Sequence, residues 1–103
     1  MRISEFQSLM KDLYIHQDSK RGIEKTFIWL VEEVGELARV LKTGNNADLQ
    51  KISEEMADII AWICSLSNLL EIDLERALSK KYPNRCLKCD SIPCQCSNQS
   101  RKL

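Results

Sequence analysis

The chain has 103 residues and a mass of 11.9 kDa, enough for one core of about three to five helices or a small sheet, so a multidomain enzyme is excluded. At 44% hydrophobic and 29% charged residues, the composition is that of a folding globular protein, not a disordered or fibrous one. The 15 basic and 15 acidic side chains cancel overall, yet residues 1–79 carry a net charge of −5 and residues 80–103 a net charge of +5.

That basic end also holds four cysteines, whose ionisation on metal binding would cancel most of the charge, which argues against nucleic acid as the partner. The longest uncharged stretch, Ile59 to Leu70, is twelve residues, short of the roughly 18 that cross a bilayer. Met1 to Lys20 carries scattered charges and no apolar core segment, so neither a membrane span nor a secretory signal is expected, and the expected location is cytoplasmic.

In chain order the pattern predicts four helices and a short metal-binding tail. Ile3, Phe6, Leu9, Met10, Leu13 and Tyr14 recur at helical spacing, and Ser4 with Gln7 resembles a capping box. The polar segment Gln17 to Gly22 breaks that pattern. A second helix is predicted from about Ile23 to Lys42, with Ile23, Phe27, Leu30, Val34, Leu37 and Leu41 as one apolar stripe, ending at Thr43-Gly44-Asn45-Asn46 with Gly44 as the C′ residue. A third is predicted from about Asp48 to Leu70, and a fourth from about Asp73 to Tyr82, where Pro83 prevents continuation. No segment alternates as a strand would, so the expected fold is an all-α four-helix bundle over residues 1–85, with a cysteine knuckle at 86–96 and a polar disordered end at 97–103. A core this small calls for support from a metal or an oligomer interface.

The informative residues are acids. With Leu30 at 0° and about 100° per residue, Glu33, Glu36 and Glu32 form one arc beside the apolar stripe, with Trp29 inside it. On the third helix Glu55 falls in the middle of the apolar face made by Ile52, Ile59, Trp62 and Leu66, and Asp58 follows at i+3. An ionised carboxylate in a bundle interior costs several kcal/mol unless a proton or a cation compensates it, a cost on the order of that for any buried charge. If the two helices pair, Glu33 and Glu36 meet Glu55 and Asp58, and four converging carboxylates need a divalent ion. The alternative is a solvated acidic face in which Lys51 or Arg39 pairs with these acids, but two separate i,i+3 acid pairs, one centred on an apolar stripe, favour the ion. An all-oxygen site suits Mg²⁺ or Mn²⁺. A di-iron bundle would need Glu-x-x-His pairs, and His16, the one histidine, belongs to none.

Glu32-Glu33-Val34-Gly35-Glu36, eighteen residues, then Glu55-Met56-Ala57-Asp58 resembles the E-E-x-x-E … E-x-x-D pattern of the MazG-like all-α nucleoside triphosphate pyrophosphohydrolases, over roughly residues 22 to 85. The resemblance implies Mg²⁺-dependent hydrolysis of (d)NTPs to the monophosphate and pyrophosphate, often to clear noncanonical or surplus nucleotides. It implies Glu33, Glu36, Glu55 and Asp58 as metal ligands and Glu32 as a further acid that orients or deprotonates the attacking water. Lys80 and Asn84 look like the family's K-x-x-x-N element that contacts phosphates, with Arg85 following; Cys86 departs from the basic residue many relatives carry there. By the same analogy Trp62 touches base or sugar, with core packing as its other reading. A homodimer or homotetramer is implied as well.

Cys86-x-x-Cys89 and Cys94-x-Cys96 can close a tetrahedral Zn²⁺ site with no open position, a structural role; disulfides and an iron–sulfur centre are the competing explanations. Cys64, among Ile63 and Leu66, reads as a buried thiol. A different function class also fits part of the pattern: a non-enzymatic zinc-knuckle protein using its basic tail to contact nucleic acid or protein.

Overall fold

The computed structural model describes residues 1–44 and 48–97. Among them are four helices and no strand: α1 (Ile3–Arg21), α2 (Ile23–Leu41), α3 (Leu49–Leu69) and α4 (Leu74–Lys81). This is the all-α architecture that the periodicity predicts. α3 is the central helix, packing against α1 on one side and α2 on the other, while α4 lies against α1. Its second half is enclosed all round because Cys64, Ser65 and Ser67 are small enough to let neighbours approach, and all three are buried.

The helix ends follow from local chemistry. The Asp48 carboxylate accepts from the backbone N–H of Gln50 at 3.0 Å and of Lys51 at 3.2 Å, and Asp73 accepts from Arg76 N–H at 3.1 Å, so both predicted starts are N-caps one residue before their helix. Gly44, two residues past the Lys42 cap of α2, has φ +65°, a conformation that glycine adopts without a Cβ clash. Asn45 and Asn46, expected to complete that stop, lie outside the described residues.

Two expectations fail at α1. Ser4 sits inside the first turn, and the reciprocal bond at the start runs from Arg2 N–H to the Glu5 carboxylate at 3.3 Å. Gln7, assigned to the cap from sequence, is a latch instead: its amide donates to Asn68 Oδ1 at 3.1 Å and to Ile72 O at 2.7 Å and accepts from Leu74 N–H at 3.1 Å, tying α1 to the α3–α4 corner. The polar segment Gln17–Arg21 continues the helix rather than breaking it. Asp18 and Arg21, at i,i+3, pair with each other inside the fold, which removes the penalty that a lone buried charge would carry, and the helix stops only at Gly22, φ +88°.

The apolar stripe of α2 is also placed differently. Ile23, Phe27, Val34 and Leu41 are each about half exposed, and only Leu30 and Leu37 of the predicted stripe are partly covered. The residue that α2 buries is Thr26, and the half-buried Trp29, Glu33, Glu36 and Val40 flank it. On a helical projection this inward face lies about a quarter turn from the stripe's centre, on the acidic arc. The helix therefore turns its acids toward α3 and leaves Phe27, Val31 and Val34 facing outward. Beyond α4 the chain folds into a separate loop around its cysteines. Of the predicted tail 97–103 only Ser97 is among the described residues; it is exposed and outside any helix.

Candidate active site and metal centres

The quarter-turn rotation of α2 brings acids from two helices together. Carboxylate oxygens of Glu33, Glu55 and Asp58 all lie within 4.8 Å of one another. Glu55 is 8% exposed, as its place on the apolar face of α3 predicts, Glu33 is half-buried and Asp58 opens to solvent. Crowding has its expected electrostatic signature: the Glu33 carboxyl is held above its ordinary range, first by burial, then by its contact with the Glu55 carboxyl and by the negative charges of Asp58, Glu55 and Glu36. Three converging carboxylates with only oxygen donors fit a hard divalent cation, which would remove the repulsion that raises Glu33.

The available basic neighbours do not neutralise the cluster. Lys51 Nζ stands 3.8 Å from Glu55 Oε1 and Arg39 Nη1 stands 3.6 Å from Glu36 Oε1, both long contacts whose basic partners are mostly exposed, and such pairs contribute little. Glu36 is thus turned to Arg39 and stands outside the three-acid group while still acting on Glu33 through space. Glu32 is exposed on the outer side of α2.

A cavity of about 380 Å³ opens directly beside the acids and shares Asp58 with them; Trp29 and Trp62 form two of its walls. The rings meet edge to face, centroids 5.6 Å apart at 85°. Trp62, a candidate from the sequence, is half-buried and lines this cavity one turn after Asp58. Lys80, in the last turn of α4, and Asn84 and Arg85, after it, are exposed, and none of the three lines the cavity beside Asp58. Asn84 and Arg85 instead line a cavity of about 500 Å³ around the cysteines, and Arg85 is paired with Asp90.

The second cluster is the cysteine loop. The Sγ atoms of Cys86, Cys89, Cys94 and Cys96 all lie within 4.8 Å of one another, with Cys86–Cys96 at 3.8 Å and Cys89–Cys94 at 4.0 Å. A disulfide needs about 2.05 Å, so these are four free thiols. Backbone groups hold the loop: Cys86 N–H donates to Ser91 O at 3.0 Å and Asp90 N–H to Cys86 O at 2.7 Å. Gln95 N–H donates to Cys89 Sγ at 3.2 Å and Cys96 N–H to Cys94 Sγ at 3.3 Å. The first of these N–H···S bonds lowers the Cys89 thiol to about 6, whereas the Cys94 thiol, before other causes, pushes Cys96 up to about 12. Such a set of sulfurs could hold a metal ion. Cys64, by contrast, is fully buried, and desolvation raises its thiol.

Residues 21–89 match the MazG nucleotide pyrophosphohydrolase domain. The chain belongs to the MazG family. The match runs from the end of α1 through α2, α3 and α4 to Cys89, so it takes in all five acids, Trp62, the Lys80–Arg85 stretch and the first cysteine pair. Cys94 and Cys96 lie beyond it. No curated protein matches the chain. MazG membership makes nucleotides the substrate class, and no helix among the described residues is long and apolar enough to cross a membrane.

Sequence reasoning missed Asp18, Arg21 and Thr26. Asp18 and Arg21 line the cavity and Thr26 stands behind Arg21; the first two fall in a polar run that reads as a helix break, and Thr26 lies off the apolar stripe of α2. The signal was present in the Asp18-x-x-Arg21 spacing, which pairs the two only if the segment is helical.

Proposed function

We propose that this protein hydrolyses (deoxy)nucleoside triphosphates to the monophosphate and pyrophosphate in the presence of Mg²⁺ or Mn²⁺, as a cytoplasmic house-cleaning enzyme of the nucleotide pool. The observation that carries the reading is the convergence of Glu33, Glu55 and Asp58, one of them buried and one held above its ordinary pKa, inside a MazG domain. These three, with Glu36 beside them, would hold the ion. When bound, Mg²⁺ supplies the positive charge that a polyanionic substrate needs in order to enter an acidic cleft and that its phosphoryl oxygens need as they react. Glu32, exposed on α2 next to Glu33 in the chain, is the further acid that orients or deprotonates the attacking water. Lys80, Asn84 and Arg85 bind the phosphates, and Trp62 offers a flat face to the base or sugar.

Lys80, Asn84 and Arg85 do not line the cavity beside Asp58, and the outward apolar face of α2 has no cover among the described residues, so the reading includes a homodimer or homotetramer. Phe27, Val31 and Val34 on that face are each about half exposed, and an interface between copies would cover them. The cysteine loop takes Zn²⁺ as a structural ion. Thiolates at about 2.3 Å from one tetrahedral Zn²⁺ stand about 3.8 Å apart, which agrees with the observed 3.8 and 4.0 Å, and the tight grouping leaves room for a single ion rather than an iron–sulfur cluster. The non-enzymatic adaptor reading would leave the three inward acids without a role.

The test is to incubate the protein with canonical and modified (d)NTPs and Mg²⁺ and to assay pyrophosphate against orthophosphate. Equimolar monophosphate and pyrophosphate are expected; release of orthophosphate, or no release with any nucleotide, overturns the proposal.

A further inference from the structure

The wall of the 380 Å³ cavity holds a buried polar group that no described residue satisfies. Asp18 is 2% exposed, and its Oδ1 accepts from Arg21 Nη2. Arg21 Nε donates to Thr26 Oγ1 at 3.0 Å, and that hydroxyl donates to Gly22 O at 2.7 Å. The guanidinium also lies in the corner between the two indoles, its Cζ 4.8 Å from each ring centroid. Asp18 lines the cavity, and its second carboxylate oxygen, Oδ2, is buried and has no hydrogen-bond partner among the described residues.

An unpaired buried carboxylate oxygen is costly, and it can only accept. The group that completes it must therefore bring an N–H or O–H. A cation is not called for, because Arg21 already balances the charge of Asp18. The surrounding surfaces are two indoles and a planar guanidinium, which suit a flat heteroaromatic ring. Asp58 belongs both to this cavity and to the acid cluster, so a molecule whose phosphates are drawn to the acids places its other end here.

We propose that this cavity is the nucleobase site and that Asp18, oriented by Arg21, selects the base, its Oδ2 accepting an N–H from the amino group on the base's pairing edge. The proposal rests on the hydrolase reading and deepens it: specificity resides in a carboxylate of α1, outside the acids of α2 and α3. Arg21 fixes the sense of the selection, because it occupies Oδ1 and leaves Oδ2 as the acceptor without a partner. In the Asp18→Asn variant the amide oxygen would be drawn to Arg21, turning an NH₂ donor toward the base.

The test uses pairs of triphosphates that differ by one amino group: dATP against the deoxyriboside triphosphate of unsubstituted purine, and dCTP against its 4-deamino analogue. A site built to accept an N–H rejects the partner that lacks it. In the wild-type protein the amino-bearing member of at least one pair is expected to have a kcat/KM about tenfold to a hundredfold higher. In D18N the preference shrinks to about twofold or reverses. Quenching of Trp29 and Trp62 fluorescence gives dissociation constants for the same pairs with or without turnover. A preference in binding without hydrolysis would support the base site while removing the hydrolase reading. Wild-type protein that takes both members of each pair alike, or that discriminates ribose from deoxyribose but not the amino group, overturns the proposal and leaves Asp18 as a clamp on Arg21. The wild-type comparison decides the matter even if D18N fails to fold.

Discussion

The two clusters that could hold a metal are assembled in opposite ways. The cysteine loop gathers its four sulfurs from eleven consecutive residues and holds them with backbone N–H groups of its own segment, so its geometry depends little on the rest of the molecule. The carboxylate cluster draws Glu33 from α2 and Glu55 and Asp58 from α3, and it exists only because α2 turns its acids inward at the expense of its apolar stripe. The first is a local clasp, suited to fixing a chain end. The second stores unfavourable electrostatics at a helix interface, which is where chemistry on a polyanion with a divalent ion can use it.

The sharpest way to break this contrast is to alter one acid. Glu55→Gln keeps the size of the side chain and removes the buried charge, and kcat is expected to fall on the order of 100- to 1,000-fold or more with the helical circular-dichroism signal intact. An active variant would refute the ion assignment. A second substitution acts on what the rotation of α2 left outside. Phe27→Glu places a charge in the exposed stripe, and light scattering is expected to shift the protein from a multiple of 11.9 kDa to the monomer mass. A wild-type protein that is already monomeric would remove the oligomer from the account.

Removing zinc separates the two clusters. With Lys80, Asn84 and Arg85 leading directly into the loop, chelation is expected to raise KM about three- to tenfold while kcat stays within about twofold. A metal-stripped protein with unchanged nucleotide affinity would assign the loop a task away from the substrate.

The smallest effect is a slope. Because the Glu33 carboxyl is raised, the native state keeps a proton that the unfolded chain gives up, so in the metal-free protein this group contributes stability that is full below its ordinary value of 4.5 and is lost as the pH rises through the raised value. Thermal melts begun below pH 4.5 and carried to neutrality should show this contribution to Tm falling without divalent ion and flattening when Mg²⁺ is added. A Tm that rises over that range without metal would contradict a Glu33 carboxyl raised by burial and by its acidic neighbours.

The same contrast explains what could be read from the sequence. The helix starts at Asp48 and Asp73, the stop near Gly44 and the cysteine spacing all depend on neighbours a few residues away, so they were legible. The burial of Glu55 was legible because its place on an apolar face of α3 depends on one helix alone. The facing of α2 was not, since periodicity marks where the apolar stripe lies on the helix but not whether this chain or another copy covers it. Nor was the helical run Gln17–Arg21, whose polar side chains are tolerable only because Asp18 meets Arg21, and Arg21 meets Thr26, Trp29 and Trp62, residues brought near by the packing of three helices. The lean of Glu36 toward Arg39, one turn on, depends on a neighbouring side chain that a position on the arc does not place.

The most direct test is a crystal grown with Mn²⁺ and measured at an energy where manganese scatters anomalously. A peak within bonding distance of Glu33, Glu55 and Asp58 is the result expected. An empty map there, with Glu55 closed onto Lys51 and Glu36 onto Arg39, would contradict the account.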